Sequence, residues 1–271
     1  MKNIARAALI VLLTGVFCLS GFKLFQMSEG YIREAKLKDG ISAYHPAASN
    51  DNQPMQPDSS ESALTISISS TSQNSSEATP PDTRPPAANQ YIIDLQNEIN
   101  RDVVGWLTIP GTKIDYPFVK GADNDYYVNR DLFGEDAPAG TIFIDERNAA
   151  DLSDFNTILY GHNMKNGMMF GGLPLYSDEW YFNDHNAGTL YLVYGTYHME
   201  IFAYMVVRSD DEVIYGTDAD SGAFFGYVRE NARYFREPAA TDKVVTLSAC
   251  AYEFDSARVV VIASVSQEPS P

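Results

Sequence analysis

Residues 46–90 (PAASNDNQPMQPDSSESALTISISSTSQNSSEATPPDTRPPAANQ) are built from Ser, Pro, Asn and Gln, with almost no aromatic or large aliphatic side chains. A stretch of this kind cannot bury enough apolar surface to offset its ordering entropy, so it reads as a flexible tether in which Ile66 and Ile68 are too isolated to start a strand. Whatever folds must therefore lie mainly after Tyr91, where the composition turns to Tyr, Phe, Val and Ile and stays so to about Ser266. Roughly 175 residues is ample for one domain with a sizeable core, and its bounds are set at 91–268.

Upstream, Lys2 and Arg6 precede the apolar run AALIVLLTGVFCLSGF (Ala7 to Phe22), which Lys23 closes and Leu24 and Phe25 extend. Residues 1–26 thus read as an uncleaved membrane anchor, slightly short of the usual span of about 20 residues, with its flanking lysine able to snorkel. A cleaved signal peptide is the rival. It is disfavoured because no small-x-small site follows cleanly and because Phe17 precedes Cys18, where lipoprotein processing wants a small residue. The positive flank leaves the N-terminus in the cytoplasm and the folded part outside the cell membrane, as a single-pass protein. Met27 to Tyr44 is more mixed and reads as a juxtamembrane helix leading into the linker, which together occupy 27–90.

The charge excludes one class of partner. Lys plus Arg is 19 and Asp plus Glu is 36, so the formal net charge is 19 − 36 = −17, and a chain this acidic lacks the basic footprint that nucleic-acid backbones require. Two cysteines, one in the apolar run and one near the far end, make neither a disulfide scaffold nor a multi-cysteine zinc cluster.

Within the folded part, short β-branched and aromatic runs alternate with Gly, Pro, Asn and Asp turns. Strands are expected at Gly105 to Ile109, Ile114 to Val119, Thr141 to Ile144, Asn156 to Tyr160, Thr189 to Tyr194, His198 to Val207, Lys243 to Ser248 and Arg258 to Ser264, with Gly195-Thr196 as a hairpin tip. Ile92, Ile93, Leu95 and Ile99 suggest a short first helix. Phe224, Phe225, Val228, Ala232 and Phe235 recur at helical spacing, which predicts an amphipathic helix over Ser221 to Arg236. The fold class is mostly β: a closed or half-closed barrel with an N-terminal helix and a helix before the last two strands.

Cys250 ends the strand VVTLSA, where a side chain can reach a surface groove. It is either a reactive thiol or a small buried hydrophobe. His162 ends the strand NTILYG, also at a strand edge, whereas His45, His185 and His198 read as solvent-facing or core residues. Arg258 opens RVVVIA eight residues past Cys250, so adjacent strands joined by AYEFDSA would set its guanidinium beside the thiol; a solvated strand-end arginine is the alternative. Together the three supply a nucleophile, a proton carrier and an oxyanion donor. The acidic loop SDDEVIYGTDAD (Ser209 to Asp220) lacks EF-hand spacing and reads as a solvated loop rather than a calcium site.

These elements resemble a family. TLSAC (Thr246 to Cys250) followed by Arg258 resembles the Thr-Leu-x-Thr-Cys…Arg element of sortases, the transpeptidases that attach proteins to Gram-positive cell walls. NTILYGHNM is similar to their histidine element. VVGWLTIPGTKIDYPFVK, DNDYYVNRDLFG and GTIFIDERN stand in the order found in class B, and the likeness runs from Ile92 to about Ser266. It implies an eight-stranded barrel with a thiol in its groove, no cofactor and no metal. It further implies that Cys250 attacks the Thr carbonyl of a C-terminal sorting signal on a secreted protein and that a peptidoglycan precursor or pilin lysine resolves the thioacyl enzyme. His162 would shuttle the proton and Arg258 would stabilise the oxyanion. Free thiols titrate near ~8.5 and free imidazoles near ~6.5, so the reactive ion pair is a minority species unless a neighbour favours it.

By position, Asn124 and Ser248 match polar residues of the class B substrate groove. Ala249 departs from the pattern, which has Thr, so a hydroxyl contact to substrate or oxyanion would be missing; Ala249→Thr is then expected to raise cleavage or leave it unchanged. Two other readings remain open. A papain-like hydrolase would use water and want a third residue to orient the histidine, and a tethered binding domain would carry an inert thiol.

Overall fold

The computed structural model describes Phe17 and residues 37–46, 88–217, 220–238, 243–250 and 255–268. Apart from Phe17, the expected anchor lies outside the described residues, as does most of the expected linker. Among the described residues, no helix is long and apolar enough to cross a membrane.

Among the described residues, nine strands follow one another: β1 (Val103–Thr108), β2 (Asp115–Val119), β3 (Ile142–Ile144), β4 (Asn156–Tyr160), β5 (Ala187–Leu192), β6 (Gly195–Arg208), β7 (Tyr234–Phe235), β8 (Val244–Cys250) and β9 (Ala257–Gln267). Helix α1 (Gln90–Glu98) precedes them, and α2 (Glu179–Asp184) and α3 (Ser221–Asn231) lie between strands. The strands hydrogen-bond in the order β5-β1-β2-β3-β4-β8-β9-β6-β7, and β5 also pairs with β6, so eight of them close into a barrel. Only β2–β3 and β4–β8 are parallel. Closure depends on the length of β6. Its first half pairs with β5, its Ala203 and Tyr204 pair with the short β7, and the whole strand runs along β9.

Alternation along the strands sorts the side chains into two layers. Val245, Leu247 and Ala249 of β8 face the barrel interior with Val259, Val261 and Ala263 of β9, while Val244, Val260 and Ile262 point outward to a second core. The register of β6 shifts against β9 between Ile201 and Ala203, leaving Phe202 as an extra residue that joins Ala203 on the outer side. Such a bulge lets one long strand exchange its faces midway. Helix α3 covers this outer core. Asp220 caps it by accepting the Ala223 N–H, and Phe224 and Val228 are buried, with the Phe155 ring edge-on to Phe224 at 5.4 Å.

The structure shortens one expectation and moves another. The helix stops at Asn231 rather than Arg236, because Ala232 turns extended and Tyr234–Phe235 pair with β6. Phe235 then packs edge-on against Phe202 at 6.0 Å, so its helical spacing was incidental to a strand contact. The β5–β6 hairpin pairs Leu192 with Gly195, which puts Val193 and Tyr194 at the tip and Gly195-Thr196 inside the strand. At Gly105 a side chain has no room: a Cβ would stand 2.4 Å from the Tyr191 carbonyl oxygen.

Residues 37–46, within the segment read as juxtamembrane and linker, pack on the barrel. Leu37 and Ile41 are buried with Ile92, Leu95, Val103 and Trp106. His45 Nε2 lies 2.9 Å from Asp115 Oδ1, which also accepts from the Trp106 indole at 2.7 Å and the Thr108 hydroxyl at 3.1 Å. Buried apolar contacts of this size matter to stability. Ile41→Ala is expected to lower the unfolding free energy by about 2 kcal/mol, and a chain cut to begin at Tyr91 should melt several degrees below one that keeps residues 37–46; equal melting in both comparisons would show that this packing contributes nothing.

Candidate active site

Two ladders decide where Cys250 stands. In the antiparallel pair β8–β9, Cys250 is directly opposite Arg258. Directly opposed residues project on the same side of a sheet, so thiol and guanidinium share a face. In the parallel pair β4–β8, Tyr160 is abreast of Ser248, and the Gly161 N–H donates to the Ser248 carbonyl at 3.2 Å. Extended two residues past the end of β4, the same register would bring His162 level with Cys250, and both line one groove. Since Ala249 and Leu247 face the interior, Ser248 and Cys250 face outward, and the groove forms on the outside of the barrel wall.

That groove encloses about 320 Å³ and is lined by Asn124, Tyr160, His162, Tyr215, Ser248, Cys250 and Arg258, among others. Cys250 is an exposed free thiol, which removes the reading of an inert buried cysteine. Arg258 is half-buried, and one of its Nη atoms donates to the carbonyl of Ala257 at 3.0 Å. His162 Nε2 lies 2.7 Å from the Val128 carbonyl oxygen. A carbonyl only accepts, so Nε2 carries a proton in both the neutral and the charged ring; Nδ1 is the nitrogen that gains and loses one. The orienting partner of the imidazole is thus a backbone carbonyl, and the neighbouring Asn163 amide donates instead to the Cys250 carbonyl at 2.9 Å.

Side chains far apart in sequence build the wall. The Tyr215 hydroxyl and Ser248 Oγ are 2.9 Å apart. Ser248 is 1 % exposed, so it meets the groove with its hydroxyl already engaged. Burial above all pushes the Tyr215 phenol up to about 12, the Ser248 bond pulling the other way. Burial also raises Tyr160, reinforced by the charge of Asp145, to which its hydroxyl donates at 2.9 Å. Both phenols are therefore neutral, and their rings stack at 6.2 Å. Behind them Asp145 is fully buried and is bound by Arg147 through Nε and Nη2, each at 2.8 Å. Its burial acts to raise the carboxyl, but the bonds from the Arg147 side chain and backbone and from Tyr160 outweigh this and hold it below the usual carboxylate range. Arg147 Nη2 also donates to the Tyr215 carbonyl at 3.0 Å, fastening the loop to the wall.

The remaining sequence expectations fall into place or shift. Asn124 lines the groove, and its Oδ1 accepts the Glu146 N–H at 2.8 Å, which leaves its amide donors as what it can present. Ala249 touches the groove edge, but its side chain belongs to the inner core and is 2 % exposed. A threonine hydroxyl there would enter apolar packing, so the reasoning that a substrate contact is missing loses its basis. The acidic loop is not simply solvated: Ile214 is fully buried, Tyr215 walls the groove, and Asp211 turns the chain by accepting the Val213 and Ile214 N–H groups and the Tyr227 hydroxyl. Sequence reasoning passed over Tyr160, Tyr215 and the Asp145–Arg147 pair. The one available signal was the aromatic residue inside an otherwise acidic loop.

The Asp145 charge makes the site's stability pH-dependent. A carboxyl lowered on folding contributes fully above its unfolded value of about 4 and loses that contribution as pH falls through the folded value. Asp145→Asn should cost about 2 kcal/mol at pH 7, and its unfolding free energy should fall less steeply below pH 4 than the parent's. Parallel acid curves would contradict the pairing.

Comparison with known proteins agrees with this geometry. The Sortase domain family matches residues 107–266. Sortase B of Listeria monocytogenes is 38 % identical over 175 residues, 62 % of this chain and 71 % of that one. Among solved structures, sortase B of Bacillus anthracis superposes with a TM-score of 0.61 at 35 % identity, covering 69 % of this chain and 90 % of that one. A Staphylococcus aureus sortase B–substrate complex gives 0.62 at 28 % identity, covering 67 % and 87 %. A thiol, an imidazole and a guanidinium brought to one outward groove by β4, β8 and β9 meet a family whose members are cysteine transpeptidases, and the chain belongs to it as a sortase of class B.

Proposed function

We propose that the chain cuts a C-terminal sorting signal of secreted proteins at Cys250 and joins the new end to an amine of the cell wall. The observation that supports this reading is the direct opposition of Cys250 and Arg258 in a groove shared with His162. The Cys250 thiolate adds to the scissile carbonyl, forming a C–S bond and placing the electron pair on oxygen as an oxyanion. Arg258, a fixed cation on the same face, stabilises that charge as it develops. The oxyanion collapses, the C–N bond breaks, and His162 gives a proton to the departing amine. A thioacyl enzyme results. The incoming amine attacks the same carbon, His162 takes its proton, and the thiolate leaves, so the enzyme returns unchanged.

Asn124 is assigned to the substrate through its amide donors, and Ser248 to the groove wall through Tyr215. The likeness to a S. aureus sortase B–substrate complex supports a substrate seated on this chain, and the acceptor amine is taken as that of a peptidoglycan precursor, with a pilin lysine as the alternative. Residues 1–26 act as a single-pass anchor with the N-terminus in the cytoplasm and the catalytic domain, 91–268, on the extracellular side. The apolar run behind Lys2 and Arg6 supports this placement. Residues 27–90 tether the domain, with 37–46 carried on the barrel surface.

The test is a set of fluorescence-quenched sorting pentapeptides incubated with the protein, with and without an added amine. Cleavage should vanish in Cys250→Ala, fall by about 10²–10³ in Arg258→Ala, and yield an amide product when amine is present. Free acid as the sole product despite saturating amine would make the chain a hydrolase, and activity persisting in Cys250→Ala would remove the thiol from the mechanism. Ligation to a lysine-bearing pilin peptide but not to a wall precursor would reverse the acceptor assignment.

A further inference from the structure

The ladder between β4 and β8 does not end where the backbone of β4 turns away. The Gly161 N–H donates to the Ser248 carbonyl, and two residues further along each strand the Asn163 side chain donates to the Cys250 carbonyl at 2.9 Å. In a parallel pair, successive donors of one strand serve carbonyls of its neighbour at a repeat of two residues. The Asn163 amide therefore stands where the next backbone rung would be. Asn163 itself stands opposite Met169 in an isolated antiparallel bridge across the tight loop after His162, where the Phe170 N–H donates to the His162 carbonyl at 2.9 Å. The acceptor is a carbonyl, so only Nδ2 can make this bond.

Cys250 is the last residue of β8 and is exposed, so on the β4 side this amide is the bond that holds its backbone. We propose that Asn163 is a positioning residue, whose amide fastens the Cys250 backbone to the His162 loop and so sets the thiol and the imidazole in one hydrogen-bonded unit. The inference rests on the reading of Cys250 as nucleophile and His162 as proton carrier. The bond lies at the surface and adds little to global stability. Its effect is on the geometry of the reacting atoms, where small displacements are costly to rate.

Asn163→Ala removes the donor, whereas Asn163→Asp keeps the shape and sets a carboxylate oxygen against the Cys250 carbonyl. In the full chain, kcat for peptide cleavage should fall about tenfold in Asn163→Ala and further in Asn163→Asp, with KM within about twofold of the parent. Iodoacetamide labelling read at the Cys250 peptide, followed across pH, should change in the same order while the melting temperature stays put. The proposal is overturned if both variants keep kcat and labelling rate within about twofold of the parent, or if Asn163→Asp is no worse than Asn163→Ala. A parent that cleaves no peptide would overturn the proposed function instead, and the labelling order would still decide the role of Asn163.

Discussion

Strand β8 is hydrogen-bonded on both edges, in parallel to β4 and antiparallel to β9, and every feature of the groove follows from that double pairing. A one-residue slip in either ladder would send the thiol to the other face of the sheet from its partner. The slip is resisted by the apolar sides of these strands. Val245, Leu247 and Ala249 fill the interior and Val244 the outer core, so a shifted register would drive Thr246 and Ser248 into the interior without partners. As it stands, Thr246 donates to Asn156 and the Ser248 hydroxyl is hydrogen-bonded to that of Tyr215. Placement of the reactive thiol is thus a consequence of core packing rather than of local loop geometry.

The groove's position on the outer face has a chemical consequence. The barrel interior is packed with side chains, so chemistry needs a wall raised outside it, and this wall is aromatic. Tyr160 and Tyr215 give a stacked surface that is apolar in contact and neutral in charge, because burial and, for Tyr160, the nearby carboxylate oppose ionisation. A fixed anion at that surface would compete for Arg258. Instead Asp145, a fully buried carboxylate behind it, is bound by Arg147. The guanidinium at the groove and the one behind it accordingly differ in place, Arg258 lining the groove and Arg147 tied to the buried carboxylate.

Much of the domain could be read from the sequence. Alternation places strand ends to within a few residues of the observed ones, since it reports directly which faces are buried. The failures share a cause. The end of α3 was missed because Phe235 satisfies a helical period while its partner, Phe202, lies on a distant bulge. The hairpin tip was assigned to glycine, yet Gly195 opens β6 at the edge shared with Leu192. Residues 37–46 were read as part of a juxtamembrane and linker stretch, since the few apolar side chains of that segment give no hint that Ile92, Leu95 and Trp106 await them.

By itself the sequence determined that one β-rich domain lies after the Ser/Pro tract and that Cys250, His162 and Arg258 sit at strand ends. Residue type and local periodicity suffice for such statements, because they concern neighbours along the chain. Only the tertiary structure decided that the three share one groove, that Ala249 faces inward, that the Val128 carbonyl and the Asn163 amide meet the imidazole and the Cys250 backbone, and that a buried Asp145 paired with Arg147 stands behind the wall. Those facts depend on which strand pairs with which and in what register. Register is fixed by the packing of the whole barrel, not by any short stretch of residues.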